Sequence, residues 1–320
     1  MTNTNKSNLN IFVKLFKNKQ TATIISMVIL IIFFSLTSKY FLTTGNFLTI
    51  ALQTSVIGII ALGMTYTIIT GGIDLSVGSI VAFSGIAAGY VLKTGAPMFI
   101  GILAGLLAGT IAGLINGFLV TNGKLPPFIA TLGIMMSLRG LTLAITGGMP
   151  ISGFKDEFAD FSGGKLLGIP HPVIYFILLG IITAYILKNT VIGKHIYAIG
   201  SNESASELSG VNVNKVKLYV YGLTGFLSAF AGIVLASRLI SAQPTEGAGY
   251  ELDVIAAVVI GGASLSGGVG SIVGTIIGAF IMSILRNGLN MLNVSGFWQQ
   301  VAVGIVVLVA VYIDKKKATK

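Results

Sequence analysis

The chain has 320 residues, 54% of them hydrophobic and only 9% charged, with a mean hydropathy of +0.92. A soluble domain is about one-quarter charged because its surface must face water. This composition therefore excludes a soluble globule and predicts an all-α integral membrane protein. The formal net charge of +10 matches membrane lipid and topology rather than a nucleic-acid partner, as its distribution shows below.

Lys14, Lys17 and Lys19 belong to a basic N-terminal segment, 1–20, ahead of the first apolar run. No small-residue cleavage pattern follows, so the run reads as a retained helix. Residues 21–313 form the membrane domain and divide into about ten apolar stretches, each near the roughly 20 residues that span hydrocarbon as a helix. They fall at 21–38, 47–70, 76–93, 98–120, 127–146, 171–188, 218–237, 250–262, 270–286 and 297–313. Glycine clusters and the stretch 121–127 supply the cuts. Stretch 250–262 is short, which predicts a broken or partly inserted helix.

With the N-terminus inside, segments 1–20, 71–75, 121–126, 189–217, 263–269 and 314–320 are cytoplasmic. They hold 13 of the 20 Lys/Arg, counting Lys188 at the border of 189–217. That bias predicts cytoplasmic N- and C-termini, with 314–320 a basic tail.

The stretch GGIDLSVGS begins at Gly71 and carries the lone charge between Tyr40 and Leu92, Asp74. A carboxylate beside hydrocarbon marks a satisfied helix end or a functional site. Gly71 and Gly72 supply the turn, and Asp74 reads as the N-cap of the third span, followed by Ser76 and Gly78. The other reading gives it a role in the conformational cycle or at the pathway. An echo, GGASLS at 261–266, puts Ser264 where Asp74 stands. Serine shares with aspartate the ability to accept from free N–H groups.

Gly101, Gly105, Gly109, Gly113 and Gly117 recur every four residues, and Gly270, Gly274 and Gly278 repeat the pattern. Bare faces of this kind predict close helix packing in lipid. The two ladders are 165 residues or five spans apart, the signature of an inverted internal repeat. The GGIDLS echo is offset by 190 residues, or six spans, and would not invert.

Segment 189–217 is too long for a turn and too short for a domain. Ser204 and Glu207 fit a capping box, Asn202 and Ser201 are alternative starts, and Gly210 fits a stop. The prediction is a two-turn helix along the membrane surface with Ala205, Leu208 and Val211 on one side. It either rests on the bilayer or docks a cytoplasmic partner. Lys194, His195, Lys215 and Lys217 suit lipid headgroups in both cases.

The chain has no phosphate loop: Gly123-Lys124 precedes Leu125, and Gly193-Lys194 precedes His195. It shows no intramembrane acid–base series, nucleophile–base pair, metal cluster or cofactor motif. The expectation is a non-enzymatic protein whose energy source lies on another subunit.

Five segments carry a resemblance: LGMTYTIITGGIDLSVGS (62–79), NGKLPPFIATLG (122–133), IYAIGSNESASELSGV (196–211), QPTEGAGYELDVIAAVVIGGASLSGG (243–268) and FWQQV (297–301). Together the chain resembles the membrane permeases of bacterial ATP-binding-cassette (ABC) sugar importers, nearest their ribose branch, over nearly its whole length from about residue 20. The resemblance implies a multi-pass protein of the bacterial cell membrane, a permease homodimer docked on separate ATPase subunits and fed by an external sugar-binding protein. The cargo it implies is a monosaccharide, D-ribose first, with xylose, galactose or autoinducer-type sugars as alternatives. A secondary carrier or channel is the other class.

The family's ATPase-coupling helix maps onto Asn202, Glu203, Ser204, Ala205, Ser206, Glu207, Leu208, Ser209 and Gly210. Here Glu203-Ser204-Ala205 departs from the EAA-x-x-x-G loop of many importers by one residue before Gly210. Weak polar contacts along the path are expected from Asn116, Trp298, Gln299 and Gln300, each of which also suits interhelical bonding or an interfacial position. Glu246, Glu251 and Asp253 either meet the binding protein or cap the N-terminus of the eighth span, and capping is the preferred reading for Glu251 and Asp253.

Overall fold

The computed structural model describes residues 19–318. The expected basic segment 1–20 therefore lies almost wholly outside the described residues, as do the last two residues of the tail. A helix occupies each of the ten predicted stretches: α1 (Lys19–Thr37), α2 (Thr44–Ile69), α3 (Val77–Lys93), α4 (Met98–Thr121), α5 (Pro127–Thr146), α7 (His171–Asn189), α10 (Val213–Leu239), α11 (Tyr250–Ile260), α12 (Ile272–Met291) and α13 (Gly296–Ala318). Among the described residues seven are long and apolar enough to cross a membrane: α2, α4, α5, α7, α10, α12 and α13. The protein is an all-α, multi-pass membrane protein.

The other three are shorter. The apolar part of α1 is Thr23–Thr37, and α3 has 17 residues. Helix α11 has 11 residues, a rise of about 16 Å, roughly half a hydrocarbon core. The sequence expectation of a short element at 250–262 holds.

Helices α2 and α10 run through the centre, where α10 packs on α2, α3 and α4. Their contacts use small and hydroxyl side chains. The α4 ladder is buried throughout, as predicted, and a methyl on Gly113 would strike the Tyr221 carbonyl and the Gly225 backbone of α10. The second ladder serves a different pair, because Gly274 and Gly278 lie against the backbone of Gly261 and Ala257, joining α12 to α11. Buried hydroxyl pairs cross between helices: Thr65 with Thr275 at 2.6 Å and Thr67 with Thr224 at 2.9 Å. In lipid such packing and hydrogen bonds hold helices together, since hydrocarbon offers no hydrophobic contrast.

Two regions read as loop are structured. Segment 147–170 contains β1 (Ile151–Ser152), α6 (Asp156–Gly163), β2 (Lys165–Leu166) and β3 (Ile169–Pro170). Strand β1 pairs with β4 (Ser241–Ala242), just past α10, and Phe158 of α6 is buried. Ser237 of α10 accepts from the Ser162 N–H at 3.0 Å and donates to the Phe158 carbonyl. Segment 189–217 contains α8 (Val191–Ser201) as well as the expected short helix, α9 (Glu203–Leu208).

Candidate functional site: two clefts at opposite ends

Two clefts lie at opposite ends of α2 and α10. One, of about 330 Å³, is lined by residues 70–72, 199–203, Lys217, Tyr221 and Ser266. The other, of about 540 Å³, is lined by Gln53, Arg238, Asp253, Arg286 and Gln299 among others. On the positive-inside reading the first is cytoplasmic and the second external.

The first cleft gathers both glycine-rich breaks and the start of segment 202–210. Helix α2 ends where Gly71 adopts φ +79°, a left-handed value that glycine takes without Cβ strain. The Gly71 and Gly72 N–H groups then bond the Ile68 and Thr67 carbonyls, both at 2.9 Å. Asp74 is fully buried. Its Oδ1 accepts from the Ser76 N–H at 2.9 Å and the Ser76 hydroxyl at 2.6 Å. Asn116 donates to the Ser76 hydroxyl at 2.7 Å.

Asp74 is thus not the N-cap. Ser76 holds that position, with no side-chain capping bond, and the carboxylate fixes the approach two residues earlier in an Asx-type turn. Asp74 Oδ2 has no hydrogen-bond partner among the described residues. Gly78 lets the Gly247 carbonyl and Glu251 come close, since a Cβ there would overlap both.

The second break repeats this with other parts. Gly262 takes φ +96°, and the Gly262 and Ala263 N–H groups bond Val259 and Val258 at 2.9 and 3.1 Å. Ser264 Oγ accepts from the Ser266 N–H at 3.4 Å, the weaker counterpart of the Asp74 turn. A carboxylate arrives from α13: Asp314 Oδ2 accepts from the Ser264 hydroxyl at 3.0 Å and the Leu265 N–H at 3.1 Å.

Both breaks meet α8. The Gly268 N–H bonds the Ile69 carbonyl at 2.8 Å. Gly200, one residue from the end of α8, sits against both, because a methyl there would overlap the Ile69 carbonyl and crowd the Gly268 nitrogen. Helix α9 follows directly. Its N-cap is Asn202, whose side chain accepts from the Ala205 N–H at 2.9 Å, so the Asn202 start prevails over the Ser204 capping box. It ends at Gly210, φ +86°. At six residues it is shorter than two full turns.

Within α9 and its caps Ser206 is buried, whereas Asn202, Glu203, Ser204, Ala205, Glu207, Leu208, Ser209 and Gly210 are exposed, Leu208 at 90%. Lys217 pairs with Glu203 at 2.7 Å, tying α9 to the start of α10.

At the other end, Asp253 does not cap α11. The N-cap is Gly249 without a side-chain bond, and Asp253, 1% exposed, pairs with Arg286 of α12 at 2.7 and 2.8 Å. A charge this deep persists only when paired and hydrogen-bonded. The Gln299 amide donates to Asn290 Oδ1 at 2.7 Å and the Val294 carbonyl at 2.9 Å. Arg139, in the second half of α5, donates to the Pro244 and Glu246 carbonyls and anchors the loop before α11.

Of the four expected pathway residues, the outer cleft gathers Gln299 and Gln300. Trp298 is 68% exposed on the outer face of α13 and lines neither cleft. Asn116 lies with Asp74 near the other end. Sequence reasoning missed Gln53, Asp253, Arg286 and Asn290 as a cluster. Their signal was available as polar residues in or beside apolar stretches on three helices, but nothing in the sequence joined them. Among the described residues no group of three or more His, Cys, Asp or Glu is placed to hold a metal ion.

A family model for the branched-chain amino acid transport system / permease component matches residues 46–311. The chain is 51% identical over 296 residues to the ribose import permease protein of Bacillus subtilis, covering 92% of each chain. It is 47% identical over 300 residues to that of Haemophilus influenzae, covering 92% of this chain and 93% of the relative. Against that of Escherichia coli strain K12 it is 44% identical over 321 residues, covering 99% and 100%. No solved structure matches the chain.

Proposed function

Because the chain belongs to the permease-component family of the branched-chain amino acid transport system, we propose that it is the membrane-spanning permease of an ABC importer for D-ribose. The observation that carries this is the 44–51% identity to ribose import permeases over more than nine-tenths of the chain. It is not an enzyme: ATP is bound and hydrolysed by separate subunits, and an external binding protein delivers the sugar at the bacterial inner membrane.

On this reading ten helices cross the membrane with both termini inside, and α3 and α11 cross by continuing into their buried breaks. Backbone outside a helix is tolerated at that depth where protein covers it. Residues 202–210 are the coupling element that rests on the ATPase. Its exposed face with Leu208 at the crest, on a helix capped by Asn202 and braced by Lys217, supports this role. A homodimer follows from the family reading; α5 and α13 offer the least buried long helix faces for a second copy to cover. The ladders support the inverted offset of 165, because α4 packs on α3 and α10 as α12, five spans on, packs on α11 and α2.

Uptake of labelled ribose tests the function, in cells lacking their own ribose system but supplied with the cognate binding protein and ATPase. Saturable uptake that needs this chain and resists unlabelled xylose, galactose and glucose is expected. Absence of chain-dependent ribose uptake, with normal expression and ATPase co-purification, would move the cargo to another sugar. Loss of co-purification as well would overturn the importer class.

A further inference from the structure

We propose that the outer cleft is a receiving site for a polyhydroxyl ligand, organised by the Asp253–Arg286 pair; this rests on the importer reading and adds the residues that hold the cargo. The cleft's volume of about 540 Å³ falls within the roughly 300–1,000 Å³ of small-molecule sites. Six of its polar groups come from four helices: Gln53 of α2, Asp253 of α11, Arg286 and Asn290 of α12, and Gln299 and Gln300 of α13; Arg238 of α10 also lines it.

A purely structural ion pair at this depth would have its remaining donors and acceptors satisfied by protein. Here they are not. Arg286 grips Asp253 through one terminal nitrogen, while its Nε, buried, has no hydrogen-bond partner among the described residues. Gln53 Oε1 lines the same cleft, buried and equally without a partner. The first is a donor and the second an acceptor.

A hydroxyl can serve either, since it donates and accepts. Neighbouring ring hydroxyls therefore match a cleft that presents one unpaired N–H and one unpaired C=O. A simple cation or anion satisfies only one of them. Gln299 adds acceptor capacity alone, because Asn290 and Val294 engage both of its amide hydrogens. The Asp253–Arg286 pair is neutral as a unit, and the remaining charge in the lining, Arg238, is exposed, so the inner wall of the cleft suits an uncharged ligand. A sugar gives up bonds to bulk water on entering, so two such bonds leave little net affinity. Weak holding is what a site must have if it accepts cargo from an external protein and then lets it go.

The test uses the full complex in proteoliposomes, with permease, ATPase and ribose-loaded binding protein, and reads labelled ribose delivered per ATP hydrolysed. Gln53→Met keeps side-chain length and deletes the amide. Arg286→Lys keeps the positive partner of Asp253 and deletes the Nε donor. Each is expected to lower ribose delivered per ATP about fivefold, the weight of roughly one hydrogen bond. Each is also expected to change the rank order of competing pentoses and hexoses. An unchanged ratio and rank order in both variants would overturn the site, and so would a parallel fall in transport and ATP turnover, the mark of a merely structural role. If Arg286→Lys does not assemble, Gln53→Met alone decides. Failure of the unsubstituted complex to deliver ribose would instead defeat the importer reading.

Discussion

The breaks at 71–76 and 261–266 begin alike, each with a helix that closes on a left-handed glycine and two N–H groups turned back onto the preceding turn. They then diverge in where the carboxylate comes from. Asp74 belongs to its own loop and is fully buried. The second loop has Ser264 there and takes its carboxylate from Asp314, 50 residues along and half-buried at the end of α13. The first junction therefore carries its carboxylate wherever its own loop folds, although Asn116 of α4 and Thr131 of α5 still bond its Ser76 hydroxyl and Leu75 N–H, whereas the second has its carboxylate only while α13 is docked. One backbone device yields a fixed joint at one place and a conditional joint at the other.

The largest expected effect separates the two carboxylates. Asp74→Leu strands the Ser76 N–H and hydroxyl in a buried site at about 1–3 kcal/mol each, so little folded permease should survive detergent extraction and size-exclusion chromatography. Asp74→Asn keeps the Oδ1 acceptor and should retain much of the uptake. Equal, severe loss of transport in both variants at normal expression would show that the charge itself is needed. Next comes Gly200→Ala, which presses a methyl onto backbone belonging to both breaks. Overpacking costs about 1–3 kcal/mol, and its mark should be a lowered thermal midpoint with transport lost together with coupling.

Asp314→Ala should cost less, about 1–2 kcal/mol, because water reaches the vacated partners. A loss as great as that of Asp74→Leu would erase the distinction between fixed and conditional joints. Smallest is Lys217→Met, which removes the half-exposed pair with Glu203. A stability change within about 1 kcal/mol is expected from thermal denaturation, with any larger defect confined to ATPase coupling.

Much of this was legible in the sequence because the membrane simplifies the code: apolar length finds the helices, and charge marks the ends. The stop at Gly210, the close-packed α4 ladder and the short α11 all follow from local rules. What escaped detection depended on residues far apart in the chain. Asp253 looks like an ordinary first-turn carboxylate until Arg286, 33 residues later, is found beside it. Asp314 looks like part of a soluble tail until it is seen holding Ser264. Helix α8 was hidden because Gly193 and Gly200 read as loop residues, although each allows close backbone approach. The capping box at Ser204 lost to Asn202, an equally good acceptor two residues nearer the end of α8.

Gly200 has one more consequence. A contact made of main chain on main chain has no rotamers, so it absorbs no displacement by side-chain rearrangement. A tilt of α8 and α9 that carried Gly200 with it would press on Ile69 and Gly268 together. On the importer reading the two breaks are expected to shift in phase, like two valves on one camshaft.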